Sequence, residues 1–223
     1  MRINRYISSN TDISRRKADE LIKASRVKIN DQIANLGSDV NPDSDRVYLD
    51  SVIIHHSKKT ILIMLNKPEN IVVSRDGQGS KTVYDILPFD FKNLKPVGRL
   101  DKNSSGLILF TNNGKLINDL THPSSKKKKI YLVKININLI PADQIKINND
   151  GVMLEDGLSK LNITQVMKDN KRLWKIIMTE GRNRQIRRTF DALGYKVISL
   201  HRISFDKYEL GKLEPGKIKI LTD

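Results

Sequence analysis

The chain has 223 residues, with 40 Lys and Arg against 25 Asp and Glu, a formal net charge of +15 and no Cys. The lack of Cys excludes disulfides, thiol nucleophiles and Cys-ligated zinc, and no apolar run approaches the roughly 20 residues that cross a bilayer. The basic N-terminus has no apolar signal core, so we expect a cytoplasmic protein without a membrane partner. The positive charge favours nucleic acid as a polyanionic partner, with solubility or a compositional bias of the genome as the alternative explanation.

The first 57 residues are predicted to form a small α/β unit with two short helices. The first helix follows from the i,i+4 spacing of Ile3 and Ile7, and the second begins after Ser14, a candidate N-cap. Strands are predicted at Val27–Ile29 and Val47–Leu49. One face of the second helix carries small and apolar residues, namely Ala18, Leu21, Ile22 and Ser25.

The opposite face of the second helix is basic. Arg15, Arg16 and Lys17 lie there, and Arg26 extends the basic surface towards the first strand. From the pattern alone, an ordinary solvated helix face explains these residues equally well. Residues 13–34, ISRRKADELIKASRVKINDQIA, resemble the S-four-like RNA-binding domain, which is named after a small-subunit ribosomal protein. The resemblance implies that the four cations contact an RNA backbone, which positions a protein on RNA without reading its sequence.

A second unit, residues 58–223, is predicted to follow a linker at residues 55–59, HHSKK. The two adjacent His residues do not share a helix face and no carboxylate cluster accompanies them, so no metal site is predicted. Strands and helices then alternate without a strict βαβ order, which predicts an α+β fold with a mainly antiparallel sheet. The predicted strands are 61–66, 107–111, 130–137, 161–167, 173–178, 197–200 and 218–221. The predicted helices are 83–87, 116–121, 141–147 and 182–193.

One carboxylate stands out as a candidate for chemistry. Asp101 lies between Arg99 and Lys102 on a loop that leads into a predicted strand. A nearby Arg keeps a carboxylate ionised, and an ionised, oriented carboxylate can act as a nucleophile. The alternative is an Arg–Asp pair that braces a turn.

Two further segments carry candidate functional residues. On the predicted helix in EGRNRQIRR, residues 180–188, the side chains of Arg184, Arg187 and Arg188 form one cationic stripe. Their mutual repulsion favours an anionic partner, which is RNA phosphate, Asp101 or both, although a solvated face is again the alternative. Tyr131 opens a predicted strand after a run of four Lys, and it either packs in the core or stacks on an extruded base.

The sequence lacks the usual signatures of a nucleotide cofactor. RDGQGSKT, residues 75–82, does not have the spacing of a phosphate-binding P-loop. The four His residues form neither a catalytic triad nor a metal set. We therefore expect no nucleotide cofactor.

Taken together, GRLDKNSSGLILFTNNG, THPSSKKKKIYLV and EGRNRQIRRTFDALG resemble the RsuA/RluB-type family of bacterial ribosomal RNA pseudouridine synthases, from about residue 2 to residue 222. The resemblance implies that Asp101 is the essential aspartate, Tyr131 the active-site tyrosine and Arg187 the arginine that pairs with the aspartate. Arg99 would support the loop or a phosphate. The remaining arginines of the third segment, Arg182, Arg184 and Arg188, would bind RNA. Asn70 replaces a glycine of the family, but Asn also adopts left-handed turns.

The resemblance implies that the protein isomerises a uridine of ribosomal RNA after flipping it from the stack, without a cofactor because no redox change occurs. Asp101 would act on the base, on the anomeric carbon or on a ribose proton. The expected partner is ribosomal RNA or a ribosome-assembly intermediate, and the expected state is a monomer. The forms of EGRNRQIRR and SRRKAD favour large-subunit (23S) rRNA, with small-subunit (16S) rRNA as the alternative. A non-catalytic RNA-binding assembly factor is the alternative from another class, and an RNA methyltransferase is a remoter one.

Overall fold

The computed structural model describes residues 1–56 and 60–221. The predicted linker lies partly outside the described residues, and the predicted unit boundary between residues 57 and 58 lies wholly outside them. The described chain contains one sheet in its first 54 residues and a larger sheet between residues 62 and 220.

The N-terminal residues fold as two helices against a small antiparallel sheet. The helices are α1 (Ile3–Asn10) and α2 (Arg15–Lys23), and the sheet has the strand order β2-β1-β3-β4. Its strands are β1 (Val27–Ile29), β2 (Gln32–Ile33), β3 (Val47–Leu49) and β4 (Val52–Ile54). A separate hydrophobic core joins the helices to the sheet, and it includes Ile3, Ile7, Ala18, Leu21, Ile22, Val27 and Val47.

The start of α2 confirms the predicted N-cap, because the Ser14 hydroxyl accepts a hydrogen bond from the Lys17 amide at 3.1 Å. The predicted apolar face is correct except at Ser25. The helix ends at Lys23, and Ser25 is exposed with a left-handed φ of 57°. The chain needs this turn to enter β1, so Ser25 cannot continue the helical face.

Among the described residues the larger sheet has nine strands. Seven follow the order β11-β12-β8-β13-β7-β5-β15, while β6 pairs with β7 and β14 pairs with β13. The strands of the path are β5 (Leu62–Lys67), β7 (Ser105–Thr111), β8 (Lys129–Ile135), β11 (Asn162–Gln165), β12 (Leu173–Met178), β13 (Val197–Phe205) and β15 (Ile218–Ile220). The short additional strands are β6 (Lys95–Pro96), β14 (Tyr208–Glu209) and a separate hairpin of β9 (Val152–Leu154) and β10 (Gly157–Ser159). Only β13 and β7 pair in parallel among the described strands, so the predicted α+β fold with a mainly antiparallel sheet is confirmed.

The sheet is covered on both faces. In β5, Ile63 and Leu65 belong to one hydrophobic core and Leu62 and Met64 belong to another. Burial of both faces explains why the apolar residues of β5 run consecutively instead of alternating with polar ones. In the part of the chain that the structure describes, three α-helices accompany the sheet, α3 (Gly114–Thr121), α4 (Pro141–Ile145) and α5 (Gln185–Asp191). None of the helices in the described ranges has the length and apolarity to span a membrane.

Several predicted elements differ in extent from the observed ones. The helix predicted at 83–87 is a single 3₁₀ turn, Val83–Asp85, and α4 passes into one π-helical turn, Lys146–Asp150. β13 extends well beyond the predicted strand at 197–200, and the β9–β10 hairpin has no predicted counterpart.

The largest correction concerns the helix predicted at 182–193. The α-helix begins only at Gln185, because Arg184 has a left-handed φ of 47° and the preceding residues are not helical. The side chain of Gln185 accepts a hydrogen bond from the Arg182 amide at 3.2 Å, which fixes the chain ahead of the helix. Arg184 therefore does not share a helix face with Arg187 and Arg188, and the predicted cationic stripe does not exist in this form.

Candidate active site

A cavity of about 390 Å³ opens where the loop before β7, the first half of β8, the second half of β13 and the segment before α5 meet. Asp101 and Tyr131, which are 30 positions apart in the sequence, both line this cavity. Arg99, Arg182 and Arg184 line it as well, whereas Arg187 and Arg188 lie outside the lining. The fold thus brings the predicted carboxylate and the predicted aromatic ring to one solvent-open site.

Asp101 sits at a turn just before β7. Its carbonyl accepts a hydrogen bond from the Ser104 amide at 3.0 Å, and Gly98, with a φ of 77°, allows the chain to bend ahead of it. The Asp101 side chain is 36% exposed. It is the single carboxylate among the described residues that line the cavity, so it can approach a ligand without competition from a second acid.

The buried ammonium group of Lys67 contacts the backbone of the turn that carries Asp101. Lys67, at the end of β5, is fully buried, and its Nζ donates to the carbonyls of Pro68 at 2.8 Å and Ile71 at 2.7 Å. The same Nζ lies 3.5 Å from the carbonyl of Lys102, the residue after Asp101. Burial lowers the pKa of Lys67 from 10.5 to about 8, against the opposing effect of the negative charges of Glu69 and Asp101. Lys67 therefore ties the loop to the central sheet.

The backbone of Asn70 completes this support. Asn70 has a left-handed φ of 64°, as expected for the residue that replaces the family's glycine. Its amide donates to the carbonyl of Lys102 at 2.8 Å. The carbonyl that follows Asp101 is thus held by both a side chain and a backbone group.

The structure assigns the ion pair of Asp101 to Arg184, which corrects the prediction for Arg187. Arg184 Nη1 lies 3.8 Å from Asp101 Oδ2, and this is the ion pair that Asp101 makes within the described residues. Arg187 instead donates from Nη1 to the carbonyl of Val197 at 2.9 Å and from Nη2 to the carbonyl of Asn103. The reason is the late start of α5, which frees Arg184 from the helix while Arg187 stays on it.

Arg187 is a bridge between two elements of the site. Its two carbonyl partners belong to the Asp101 turn and to the first residue of β13. Burial lowers the pKa of Arg187, with a further lowering by the charge of Arg184 and an opposing effect of Asp101. Its Nε is buried without a partner among the described residues. Arg187 thus holds the loop in place without touching the carboxylate.

Tyr131 presents an aromatic ring to the cavity from β8. It pairs in register with Ile176 of β12 and Arg202 of β13, so its backbone lies in the middle of the sheet. The residue is 8% exposed, and in the described part of the chain no group hydrogen-bonds to its hydroxyl. The ring therefore lies at the cavity wall with its polar end free for a ligand.

Two cations that the sequence reasoning missed complete the wall. Arg202 is 2% exposed, donates from Nε to the carbonyl of Leu107 at 2.7 Å and has an Nη2 without a partner among the described residues. Its guanidinium lies 5.1 Å from the ring centroid of Phe205, and Lys129 Nζ lies 5.8 Å from the same centroid. Burial and the charge of Arg202 lower the pKa of Lys129. The signal in the sequence was an Arg inside SLHRISF, an otherwise strand-like run.

The remaining arginines near the cavity fall into two groups. Arg182 and Arg188 both bind Asp156 in the β9–β10 turn, at 2.9 Å and 2.6 Å. The hydrogen bond from Arg188 is the main reason why the pKa of Asp156 is lowered. Arg99 is exposed at the cavity mouth. Arg182 and Arg188 are consequently engaged by Asp156, while Arg184 pairs with Asp101 and Arg99 makes no ion pair within the described residues.

The four cations predicted to bind RNA in the N-terminal region also fall into two groups, those with and those without an ion pair. Arg15 and Arg16 are exposed and line a second cavity. Lys17 pairs with Glu20 at 2.8 Å, and Arg26 forms a two-pronged ion pair with Asp50, with 2.8 Å between Nε and Oδ1. The structure therefore leaves Arg15 and Arg16 free of ion pairs within the described ranges and engages the other two.

No His residue of the described ranges lines the cavity of Asp101. His56 stacks on Tyr6 at 5.8 Å between ring centroids, and His201 Nδ1 lies 2.9 Å from the Ser105 hydroxyl. Residues 1–56 and 60–221 contain no group of three His, Asp or Glu residues that could hold a metal ion.

Comparison with known proteins defines the class. Residues 61–192 match the family model described as RNA pseudouridylate synthase. This segment contains Asp101, Tyr131 and all of α5. The chain belongs to the RNA pseudouridylate synthase family, whose members are isomerases.

Individual relatives cover nearly the whole chain. An uncharacterized RNA pseudouridine synthase of Aquifex aeolicus is 38% identical and covers 100% of this chain and 90% of its own length. The ribosomal large subunit pseudouridine synthase B of Bacillus subtilis is 33% identical over 99% of this chain and 92% of its own. The dual-specificity RNA pseudouridine synthase RluF of Escherichia coli K12 is 33% identical, and the match covers 100% of this chain and 76% of that protein. A crystal structure of a pseudouridylate synthase superimposes with a TM-score of 0.70 at 28% identity, covering 100% of this chain and 96% of that one.

Proposed function

We propose that this enzyme converts a uridine of ribosomal RNA to pseudouridine, with Asp101 acting on a nucleotide flipped into the cavity. The observation that carries the proposal is the placement of Asp101, as the single carboxylate of the described lining, in one cavity with Tyr131 and several cations. Membership of the family supports the reaction, and the names of the Bacillus and Escherichia relatives support an RNA substrate of this kind.

The reaction is balanced without a cofactor. The bond between N1 of uracil and C1′ of ribose breaks, the base rotates, and a bond forms between C5 and C1′. The proton lost from C5 is matched by one gained at N1, and no electrons enter or leave. The residues of the site allow Asp101 to act on the base, on C1′ or on a ribose proton.

Each neighbour of Asp101 has a distinct role in the proposal. Arg184 orients the carboxylate through its ion pair, and Arg187 is a positioning residue that acts through the Asn103 and Val197 carbonyls. Tyr131 stacks on the flipped base and assists proton transfer through its free hydroxyl. Arg99 contacts a phosphate at the cavity mouth.

We also propose that residues 1–57 are an S-four-like RNA-binding domain and residues 58–223 the catalytic domain. The separate N-terminal sheet and core support this division. Arg15 and Arg16 contact phosphates directly, while Lys17 and Arg26 do so only by exchanging Glu20 and Asp50 for RNA. Arg182, which lines the cavity, and Arg188, which binds Asp156, act on RNA mainly through the segment they hold.

Large-subunit rRNA is the proposed target, with small-subunit rRNA as the alternative. The relative of Bacillus subtilis is named for the large subunit, and it matches almost the whole of this chain. Mapping pseudouridines in both rRNAs from cells with and without this protein decides between the two subunits.

Substitution of Asp101 tests the mechanism. Asp101→Asn should abolish pseudouridine formation and leave RNA binding unchanged, because the side chain keeps its size and loses only its charge. Asp90→Asn, at an exposed site outside the cavity, is the matched control and should modify RNA like the wild type. Wild-type turnover by Asp101→Asn would exclude the nucleophile. Full rescue of a growth phenotype by the same variant would favour an assembly factor.

A further inference from the structure

A second cavity, of about 780 Å³, lies between the N-terminal helices and the start of α3, and we call it the basic groove. Its charged lining residues are all cations, namely Arg5, Arg15, Arg16, Lys95 and Lys115. The rest of its lining consists of Ser and Asn residues and one Gly. The groove is thus formed by elements of the N-terminal region and of the larger sheet, and all its charged side chains are positive.

The cations of the basic groove are not neutralised by protein carboxylates. In the ion pairs among residues 1–56 and 60–221, none of these five side chains takes part. Burial lowers the pKa of Lys95, and the charge of Arg75 lowers it further, against a weaker effect of Asp12. Uncompensated like charges repel one another, so an anion in the groove would relieve this repulsion.

Lys95 fixes the geometry of the groove. It lies on β6 of the larger sheet, and its Nζ donates to the backbone carbonyl of Ser8 near the end of α1. This contact joins the N-terminal helices to the strand that leads into the Asp101 loop, six positions later. This hydrogen bond therefore links two residues of the groove lining, one from α1 of the N-terminal region and one from β6 of the larger sheet.

Helix α3 connects the basic groove to the cavity of Asp101. Gly114, Lys115 and Asn118 line the groove, whereas Leu120 and Thr121 line the cavity. At 1.5 Å per residue, Lys115 and Thr121 are about 9 Å apart along the helix. A chain of nucleotides lying in the groove would thus pass close to the cavity mouth.

We propose that the basic groove binds the phosphodiester backbone of the RNA strand that flanks the target uridine. No aromatic side chain is among the described residues that line it, so it offers no platform for stacking bases. Its contacts are to phosphate and ribose, which position RNA without reading its sequence. The inference rests on the proposed function in that the ligand is the RNA substrate.

Charge neutralisation in the groove tests this inference. The variant Lys95→Gln/Lys115→Gln removes two charges, one on β6 and one on α3. Its matched control, Lys168→Gln/Lys171→Gln, removes two exposed charges from the turn between β11 and β12, near the opposite edge of the sheet. The probe is an rRNA fragment that contains the modified uridine, and the dissociation constant is measured from low to moderate salt.

At low salt the groove variant should bind RNA at least about tenfold more weakly than the wild type. The magnitude of the slope of log K against log salt should fall by roughly 1 to 2, because each lost phosphate contact removes about 0.7 to 0.9 from it. Single-turnover modification at saturating RNA should stay within about twofold of the wild type. Lys115→Gln alone leaves the Lys95–Ser8 contact intact and should show about half of the change in slope.

Equal slopes for the groove variant and the control would overturn the inference. Unchanged binding of naked RNA combined with poor modification of assembling ribosomal particles would also overturn it, in favour of an acidic protein surface as the occupant. The binding measurement does not depend on catalysis, so it remains decisive even if the Asp101→Asn experiment refutes the proposed mechanism.

Discussion

The two cavities of this molecule are both cationic, but their cations are held in different ways. At the cavity of Asp101, Arg187 donates to two backbone carbonyls and Arg202 donates to a third. In the basic groove, Arg15 and Lys115 are exposed and make no ion pair within the described residues. Fixed cations can aim a loop or a ligand, whereas free cations mainly attract a polyanion and release its counterions.

The difference predicts two kinds of mutational effect. Changes at the fixed site should alter turnover or folding with little dependence on salt. Changes at the groove should alter affinity in a salt-dependent way and leave the chemical step intact.

Tyr131→Phe should lower the rate of the chemical step by about 10²–10⁴-fold, the range for loss of a general acid or base. The ring remains in place, so RNA affinity should be unchanged. Single-turnover kinetics with a uridine-containing rRNA fragment measure the effect. Tyr48→Phe, in the N-terminal sheet, is the control, and a Tyr131→Phe enzyme as fast as this control would restrict Tyr131 to stacking.

Lys67→Met should change how stability depends on pH. In the folded protein Lys67 loses its proton near pH 8, whereas in the unfolded chain it keeps the proton up to about pH 10.5. The unfolded state therefore holds more protons in this window, and the free energy of unfolding of the wild type should rise with pH by at most about 3 kcal/mol from this group. Below pH 8 both states are protonated and the contribution is constant.

Urea unfolding at a series of pH values between 7 and 10.5 measures this slope. Lys67→Met should flatten it, while Lys134→Met, at an exposed position on β8, should retain the wild-type slope. An identical slope in the wild type and in Lys67→Met would show that the ammonium keeps its normal proton affinity inside the fold.

Arg187→Met should destabilise the folded state by about 2 kcal/mol, because two carbonyls lose a charged donor. Arg184→Met should change stability by less than about 1 kcal/mol, since its ion pair with Asp101 is long and half-exposed. Thermal unfolding followed by circular dichroism gives both values. Equal losses from the two variants would contradict the distinction between a bridging and an ion-pairing arginine.

Ser14→Ala should lower the stability of α2 by about 1 kcal/mol through loss of its N-cap. Because the N-terminal helices share a core separate from those of the larger sheet, hydrogen exchange should accelerate in α2 and not in β7 or β8. Ser9→Ala, in α1, is the control. Acceleration throughout the larger sheet would mean that the two regions unfold together.

Local patterns in the sequence were sufficient to predict much of the framework. The Ser14 cap, the apolar run of β5 and the strands around Asp101 and Tyr131 lie close to their predicted positions. The resemblance to the family pointed to Asp101 and Tyr131, and the structure brings both to one cavity. Their catalytic roles, and the division of the chain after residue 57, stay predictions.

What could not be predicted depends on contacts between distant residues. The start of α5 is set by Arg182, which donates to carbonyls of the β9–β10 hairpin, and by Gln185. That hairpin has a weak sequence pattern, so Arg184 was placed on the helix and its ion pair with Asp101 was missed. Arg202 was missed because its burial depends on the carbonyl of Leu107, 95 positions earlier.

The position of β13 in the sheet has a consequence for how the site comes into being. This strand, residues 197–205, inserts between β8, which carries Tyr131, and β7, which follows Asp101. Gly106 permits the close parallel approach, because a Cβ there would overlap the backbone of Arg202. Until residues 197–205 have emerged from the translating ribosome, the strand that joins the two halves of the sheet is missing. A nascent chain of this protein can therefore fold its N-terminal helices early, but it cannot assemble a complete reaction site before β13 has been synthesised.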